Sequence, residues 1–315
     1  MHVRPALTLA AGVVAISALV AAPAHAADVP TCQGRAATIV STPGQESVLG
    51  TDGPDVIVAT GARDLQGLGG DDRICVDQAY YLIGGPGRDR LTSTAQVYYT
   101  SGGDGADVIT IGGSSDYVNG DAGNDVVRVA TTNATYGGPG NDLLTGTGGG
   151  TLFGDEGFDV VAGTRDSQVT MSDAEGPDLY YGAGNPQNVV SFGHSPVPVR
   201  VDLRRGRASG SGTDHLVRVR SIGGSSHPDV MVGDAHDNRF YGIVYFYRVP
   251  GDPQAVGADV IRAGGGDDRI DAIGIGTVAF GQSGDDTIRT DALADGGRGA
   301  DDCTATTVVR CEGTP

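Results

Sequence analysis

The sequence predicts an all-β fold: a solenoid of stacked coils, each about 18 residues long, interrupted by an irregular central spacer. Three observations lead there. Glycine accounts for 53 of 315 residues, tryptophan is absent and aromatics are 5 %. All 21 basic residues are Arg, and 35 of the 39 acids are Asp, with only four Glu. Asp recurs with an apolar residue two places later and, in most cases, a Gly two places earlier.

The repeat defines the elements. The Asp-x-apolar step stands at Asp55/Ile57, Asp72/Ile74, Asp89/Leu91, Asp107/Ile109, Asp125/Val127, Asp142/Leu144 and Asp159/Val161. It also occurs at Asp116/Val118, and returns at Asp229/Met231, Asp259/Ile261, Asp268/Ile270 and Asp286/Ile288, with Asn238/Phe240 as an amide variant. Glycine supplies the positive φ of a tight turn. The apolar residue points inward from a short strand while its neighbours point out. One such half-coil buries nothing alone, whereas stacked coils join their apolar residues into a continuous thin core. A disordered Gly/Asp tract would have no use for an apolar residue at a fixed offset from each Asp.

The segments follow in order. Residues 1–26 read as a secretory signal peptide, with Arg4, the apolar run Ala6 to Ala22 and a cleavage site after about Ala26. Residues 27–40 form an N-terminal cap, 41–186 a first roll, 187–222 a spacer continuing the roll, 223–302 a second roll, and 303–315 a C-terminal cap. The expected product is secreted. Four cysteines allow three pairings. Their clustering at the two ends favours Cys32–Cys75 and Cys303–Cys311.

The nonapeptides GGPGRDRLT (Gly84 to Thr92), GGDGADVIT (Gly102 to Thr110) and GGPGNDLLT (Gly137 to Thr145) resemble the RTX, or haemolysin-type calcium-binding, repeat GGxGxDxUx at every defined position. GLGGDDRIC, GDAGNDVVR and GQSGDDTIR match with one or two glycines replaced. The segment Val189 to Gly242 resembles a spacer often found among such repeats. The resemblance implies a parallel β-roll with Ca2+ held between successive turns of one edge. On this chain the implied ligands are Asp55, Asp72, Asp89, Asp107, Asp125, Asp142, Asp159, Asp268 and Asp286, with Gly87, Gly105, Gly123 and Gly140 in the turns. Many RTX proteins use a C-terminal export signal and lack Cys, so toxin-like export and pore formation are not carried over.

The chemistry of the spacing agrees. Calcium takes six to eight oxygens from carboxylates and backbone carbonyls, and a Gly-x-Asp turn offers both. Asp72 to Asp159 recur every 17 or 18 residues, as one edge requires. The half-way segments DQAYYL, STAQVYY, TTNATY and GTGGGTL lack the pattern, so the sharper expectation is a ladder on one edge, against a decayed double ladder.

Other signals are weaker. His194, His215, His227 and His236 lack zinc spacing, no G-x-S-x-G elbow is present, and no catalysis is expected. A net charge of -18 disfavours nucleic acid, and no segment after the signal peptide reads as a membrane span. Arg200, Arg204, Arg205, Arg207, Arg218 and Arg220 form a basic cluster. The expected role is structural or adhesive calcium binding. The alternative is a carbohydrate-binding or polysaccharide-active scaffold, with a cell-surface polysaccharide as partner.

Overall fold

A computed structural model describes residues 29–42, 44–172, 176–210, 212–242 and 257–311. The proposed signal peptide lies outside these residues, as does the end of the C-terminal cap after Cys311. Among the described residues the structure is all-β, a parallel solenoid of about 14 turns with a repeat near 18 residues.

Each coil contributes one strand to each of two faces. On the first face Val56–Ala59 pairs in parallel with Arg73–Val76, which pairs with Arg90–Ser93, which pairs with the start of Val108–Ala122. On the second face Ala62–Gln66 pairs with Ala79–Ile83, and that strand with Val97–Asp104. Alternation along each strand turns every second residue inward. Ile57, Ile74, Leu91, Ile109, Val127, Leu144 and Val161 of the first face are buried. They meet Leu65, Leu82, Val118 and Leu152 of the second. The core is therefore two side chains thick and as long as the stack.

The spacer continues the roll on one face and breaks it on the other. Val189–Ser191 and Ser221–Gly223 extend the second face in parallel. On the first face Thr213–Val217 follows Leu179–Tyr181 in parallel. Arg207–Ser209 and Arg200–Asp202 are then inserted antiparallel before parallel stacking resumes at Val230–Val232. Both disulfides expected from the end clustering are formed: Cys32–Cys75, with Cα atoms 5.5 Å apart, and Cys303–Cys311, at 5.9 Å.

Candidate metal-binding edge

The Asp of each repeat sits at the corner where the chain enters the first face. It is buried at Asp55, Asp72, Asp89, Asp107, Asp125, Asp142 and Asp159. Its Oδ1 atom accepts the backbone N–H of the preceding Asp. Asp72 accepts from Asp55, Asp89 from Asp72, Asp107 from Asp89, Asp125 from Asp107 and Asp142 from Asp125, all at 2.8 Å. The series runs on through Asp142→Asp159, Asp159→Asp178 and Asp178→Asp214. This explains the bias towards Asp, whose short side chain reaches one coil and no further.

The second oxygen behaves differently. Oδ2 of Asp72, Asp89, Asp107, Asp125, Asp142 and Asp159 is buried with no hydrogen-bond partner. Buried polar atoms are nearly always paired, and an unpaired carboxylate oxygen is costly. Burial therefore drives these carboxyls up: Asp72, Asp107 and Asp142 to about 6, and Asp89, Asp125 and Asp159 to about 7. The N–H bond to Oδ1 opposes the shift, and at Asp89, Asp125 and Asp159 the neighbouring ladder charges add to it. Asp55 closes the series differently, its Oδ2 accepting from Thr51 N–H at 2.7 Å and Thr51 Oγ at 2.9 Å.

Glycine lines the space around each orphaned oxygen. A Cβ added to Gly84 would meet Asp89 Oδ2 and the Gly102 carbonyl oxygen, each closer than 3.0 Å. Gly102 faces Asp107 Oδ2 and the Gly120 carbonyl in the same way, and Gly120 faces Asp125 Oδ2 and the Gly137 carbonyl. Carboxylate and carbonyl oxygens of adjacent coils thus converge, and only the missing side chain leaves them room. Gly87, Gly105, Gly123 and Gly140 do other work. Their φ angles of 148°, 145°, 156° and 153° suit glycine, and a Cβ there would strike the carbonyl of the glycine one coil back.

Asp268 and Asp286 stand on the other edge. They precede strands Arg269–Ala272 and Thr287–Thr290, which belong to the second face through Arg239–Tyr241 and Ser221–Gly223. The ladder is therefore not confined to one edge over the whole chain. Before the insertion it follows the first-face corner. After it, Asn238, Asp268, Asp286 and Asp301 form a second ladder at the opposite corner. Burial lifts Asp268 to about 8 and Asp286 to about 6, with Asp286 and Asp237 adding at Asp268. A short remnant of the first-face corner persists as Asp229, Asp259 and Thr277.

In the first roll the opposite corner is occupied by other residues. Arg63, Tyr80, Tyr98 and Asp116 occupy the ladder register there. The Tyr80 and Tyr98 rings stack at 4.5 Å and 11°, and Arg63 lies 5.8 Å from the Tyr80 ring centroid. Asp116, whose step matches the repeat in the sequence, stands beyond this stack rather than in an Asp ladder.

Several ladder members lie beyond the residues singled out from the nonapeptide. Asp178 and Asp214 stand in turns that keep only part of the nonapeptide's glycines, Gly176 in the first and Gly210 and Gly212 in the second. Asp301 lies in GGRGADDCT (Gly296 to Thr304), which keeps all three. Asp178-x-Tyr180, Asp214-x-Leu216 and Asp301-x-Cys303 all keep the Asp-x-apolar step. A glycine stands five places before Asp72, Asp89, Asp107, Asp125, Asp142, Asp159, Asp286 and Asp301.

Several of the remaining candidates are engaged locally. His236 Nδ1 lies 3.0 Å from Asp234 Oδ2, and His194 Nδ1 lies 3.2 Å from Ser172 Oγ. Arg204 and Arg205 pair with Asp202, and Arg218 donates to Tyr181 OH. Among the described residues no group of three or more His, Cys, Asp or Glu side chains gathers at one point, and no helix is long and apolar enough to cross a membrane. A cation at the ladder would take a large part of its shell from backbone carbonyls, as calcium does. No family model matches the chain, and no curated protein matches it.

Proposed function

We propose that the protein is a secreted calcium-binding β-roll, structural or adhesive and without catalysis, in which the metal is part of the folded state. The observation that carries this reading is the row of buried Oδ2 atoms without partners, each beside a glycine carbonyl of the next coil. A hard cation suits such a place: it accepts anionic and carbonyl oxygens together and demands no hydrogen-bond geometry.

Asp72, Asp89, Asp107, Asp125, Asp142 and Asp159 would hold the metal on the first edge, and Asp268, Asp286 and Asp301 on the second. Calcium supplies positive charge where stacked carboxylates otherwise repel. Two unit charges one coil apart, about 4.8 Å, repel by roughly 1 kcal/mol in water and several-fold more when partly desolvated. Over a ladder of six or more, that repulsion rivals a whole stability of about 5–15 kcal/mol. The chain's own residues do the rest: Oδ1 fixes each carboxyl to the neighbouring coil, and glycine keeps the carbonyls open. Isothermal titration of chelator-stripped protein with calcium tests the reading; no heat and no saturation would end it.

A second reading, carbohydrate binding, is favoured by one feature. A surface cavity of 340 Å³ on the opposite corner is lined by Gln78, Gln96, Tyr80 and Tyr98 among others. Amide and phenol groups are suited to sugar hydroxyls, although the facing sides of the Tyr80 and Tyr98 rings are taken up by their own stack. Retention on an insoluble neutral polysaccharide, lost in Tyr80→Ala, would support it.

A further inference from the structure

Four arginines converge on the first face near the N-terminal end. Arg73 and Arg90 are directly paired in the parallel register of adjacent strands. Arg35 arrives from outside the solenoid. It lies on the small antiparallel hairpin Thr31–Cys32/Arg35–Ala36, whose two-residue turn has positive φ at Gln33 and Gly34. The Cys32–Cys75 disulfide binds this hairpin to the face, and Gln33 locks it further. Its Nε2 donates to Thr92 Oγ at 2.9 Å, and its Oε1 accepts from Arg73 Nη1 at 3.1 Å. Arg35, Arg73, Arg88 and Arg90 line a surface cavity of 450 Å³.

The arginines of this group outnumber the carboxylates that share the cavity, four to three. Among the described residues none of the four arginines takes part in an ion pair. Asp71, Asp72 and Asp89 also line the cavity, each with one oxygen held by a backbone N–H and none in contact with a guanidinium. Asp71 Oδ1 accepts the Arg88 N–H, and the Oδ1 atoms of Asp72 and Asp89 serve the ladder. Like charges directly opposite in a sheet destabilise it. In a chain of net charge -18 with 39 acids, four arginines gathered at one cavity and held in no ion pair call for a ligand.

We propose that this cavity is an oxyanion site for a tetrahedral phosphate or sulfate group, either a free ion or an ester on a larger molecule, with Arg35, Arg73 and Arg90 as its donors and Arg88 at its rim. Guanidinium groups match such oxygens by paired N–H donation, which a lysine cannot reproduce. The negative charge of the whole protein is screened over about 8–10 Å at ordinary salt, so the site acts through short-range contacts.

The test is calorimetric titration of the intact disulfide-bonded protein with sodium sulfate and, separately, glycerol phosphate, in chloride buffer at matched ionic strength. One saturable site is expected. Arg73→Gln and Arg90→Gln should each weaken it by about tenfold or more, as loss of charged hydrogen bonds does. Arg73→Lys should fall between. Arg128→Gln, an exposed arginine outside the cavity, should leave the affinity unchanged, and circular dichroism of each variant checks that the roll is intact. Sulfate binding assigns a free ion; binding of the ester alone assigns a carried group. No saturable binding of either, or equal weakening by Arg128→Gln, overturns the proposal. Running both titrations with and without calcium separates this result from the metal reading, since a roll folded without calcium would still show the anion site.

Discussion

The backbone N–H of Asp72 donates to Asp89 Oδ1 at 2.8 Å, while Asp89 Oδ2 is buried beside the Gly102 carbonyl with no donor. One carboxyl thus has a satisfied oxygen that ties two coils together and an unsatisfied one facing another acceptor. The same division recurs along the first edge, and it separates the structural role of the ladder from its metal-binding role.

The two roles are separable by substitution at Asp107. Asp107→Asn keeps an oxygen for the Asp89 N–H but removes the charge, whereas Asp107→Ala orphans that N–H. Without calcium, Asp107→Asn should be neutral or stabilising and Asp107→Ala should cost about 1–3 kcal/mol. With calcium, both should lose stability relative to the parent. Urea denaturation of the three proteins in chelator and in calcium checks this; identical rankings in both would refute the division.

Gly102→Ala places a methyl group against Asp107 Oδ2 and the Gly120 carbonyl, both closer than 3.0 Å. A loss of about 1–3 kcal/mol is expected, in line with overpacking elsewhere. Calcium affinity should fall with it, measured by titration. Gly53→Ala is the control, since a Cβ there meets nothing closer than 4.0 Å.

The metal-free protein should lose stability as pH rises. Burial raises Asp72 to about 6, Asp89 to about 7 and Asp268 to about 8, against an ordinary 3.8. Between those limits the folded chain binds more protons than the unfolded one, so the slope of stability against pH is negative. The contribution is fully present below about 4 and lost by about 8. Calcium should reverse the trend, because it replaces the protons. Melting temperatures at pH 5 and pH 8, with and without calcium, check the sign.

The disulfides should contribute unequally. Cys32 and Cys75 are 43 residues apart and Cys303 and Cys311 are 8 apart. Loop-closure entropy gives about 4 kcal/mol for the first and about 2.5 kcal/mol for the second. Cys32→Ala/Cys75→Ala should lower the melting temperature more than Cys303→Ala/Cys311→Ala, and should also release the hairpin bearing Arg35.

The solenoid was legible because Asp-x-apolar is a strict local pattern: Asp reaches one coil, and the apolar residue two places on must face inward. The first-edge ladder was legible for the same reason, from Asp72 to Asp159. The change of edge was not. It comes after Arg200–Asp202 and Arg207–Ser209 enter the first face antiparallel, an insertion that the spacing of the Asp-x-apolar step does not announce. The roles of the glycines were only half legible. Spacing marks Gly105 as a turn residue, but that Gly102 must lack a Cβ follows from a contact with the next coil. The gathering of Arg35 with Arg73 and Arg90 was hidden because it joins residues 35 and 73 through a disulfide-bound hairpin.

Circular dichroism during calcium titration of chelator-stripped protein tests the metal-coupled fold most directly. If calcium completes the ladder, the stripped protein is loosened or unfolded at pH 8. It becomes β-rich as calcium approaches the roughly 10⁻⁴–10⁻³ M range of extracellular modules, and ignores an equal concentration of sodium. A β-rich spectrum at pH 8 that is unchanged between chelator and millimolar calcium, with the same melting temperature in both, would contradict it.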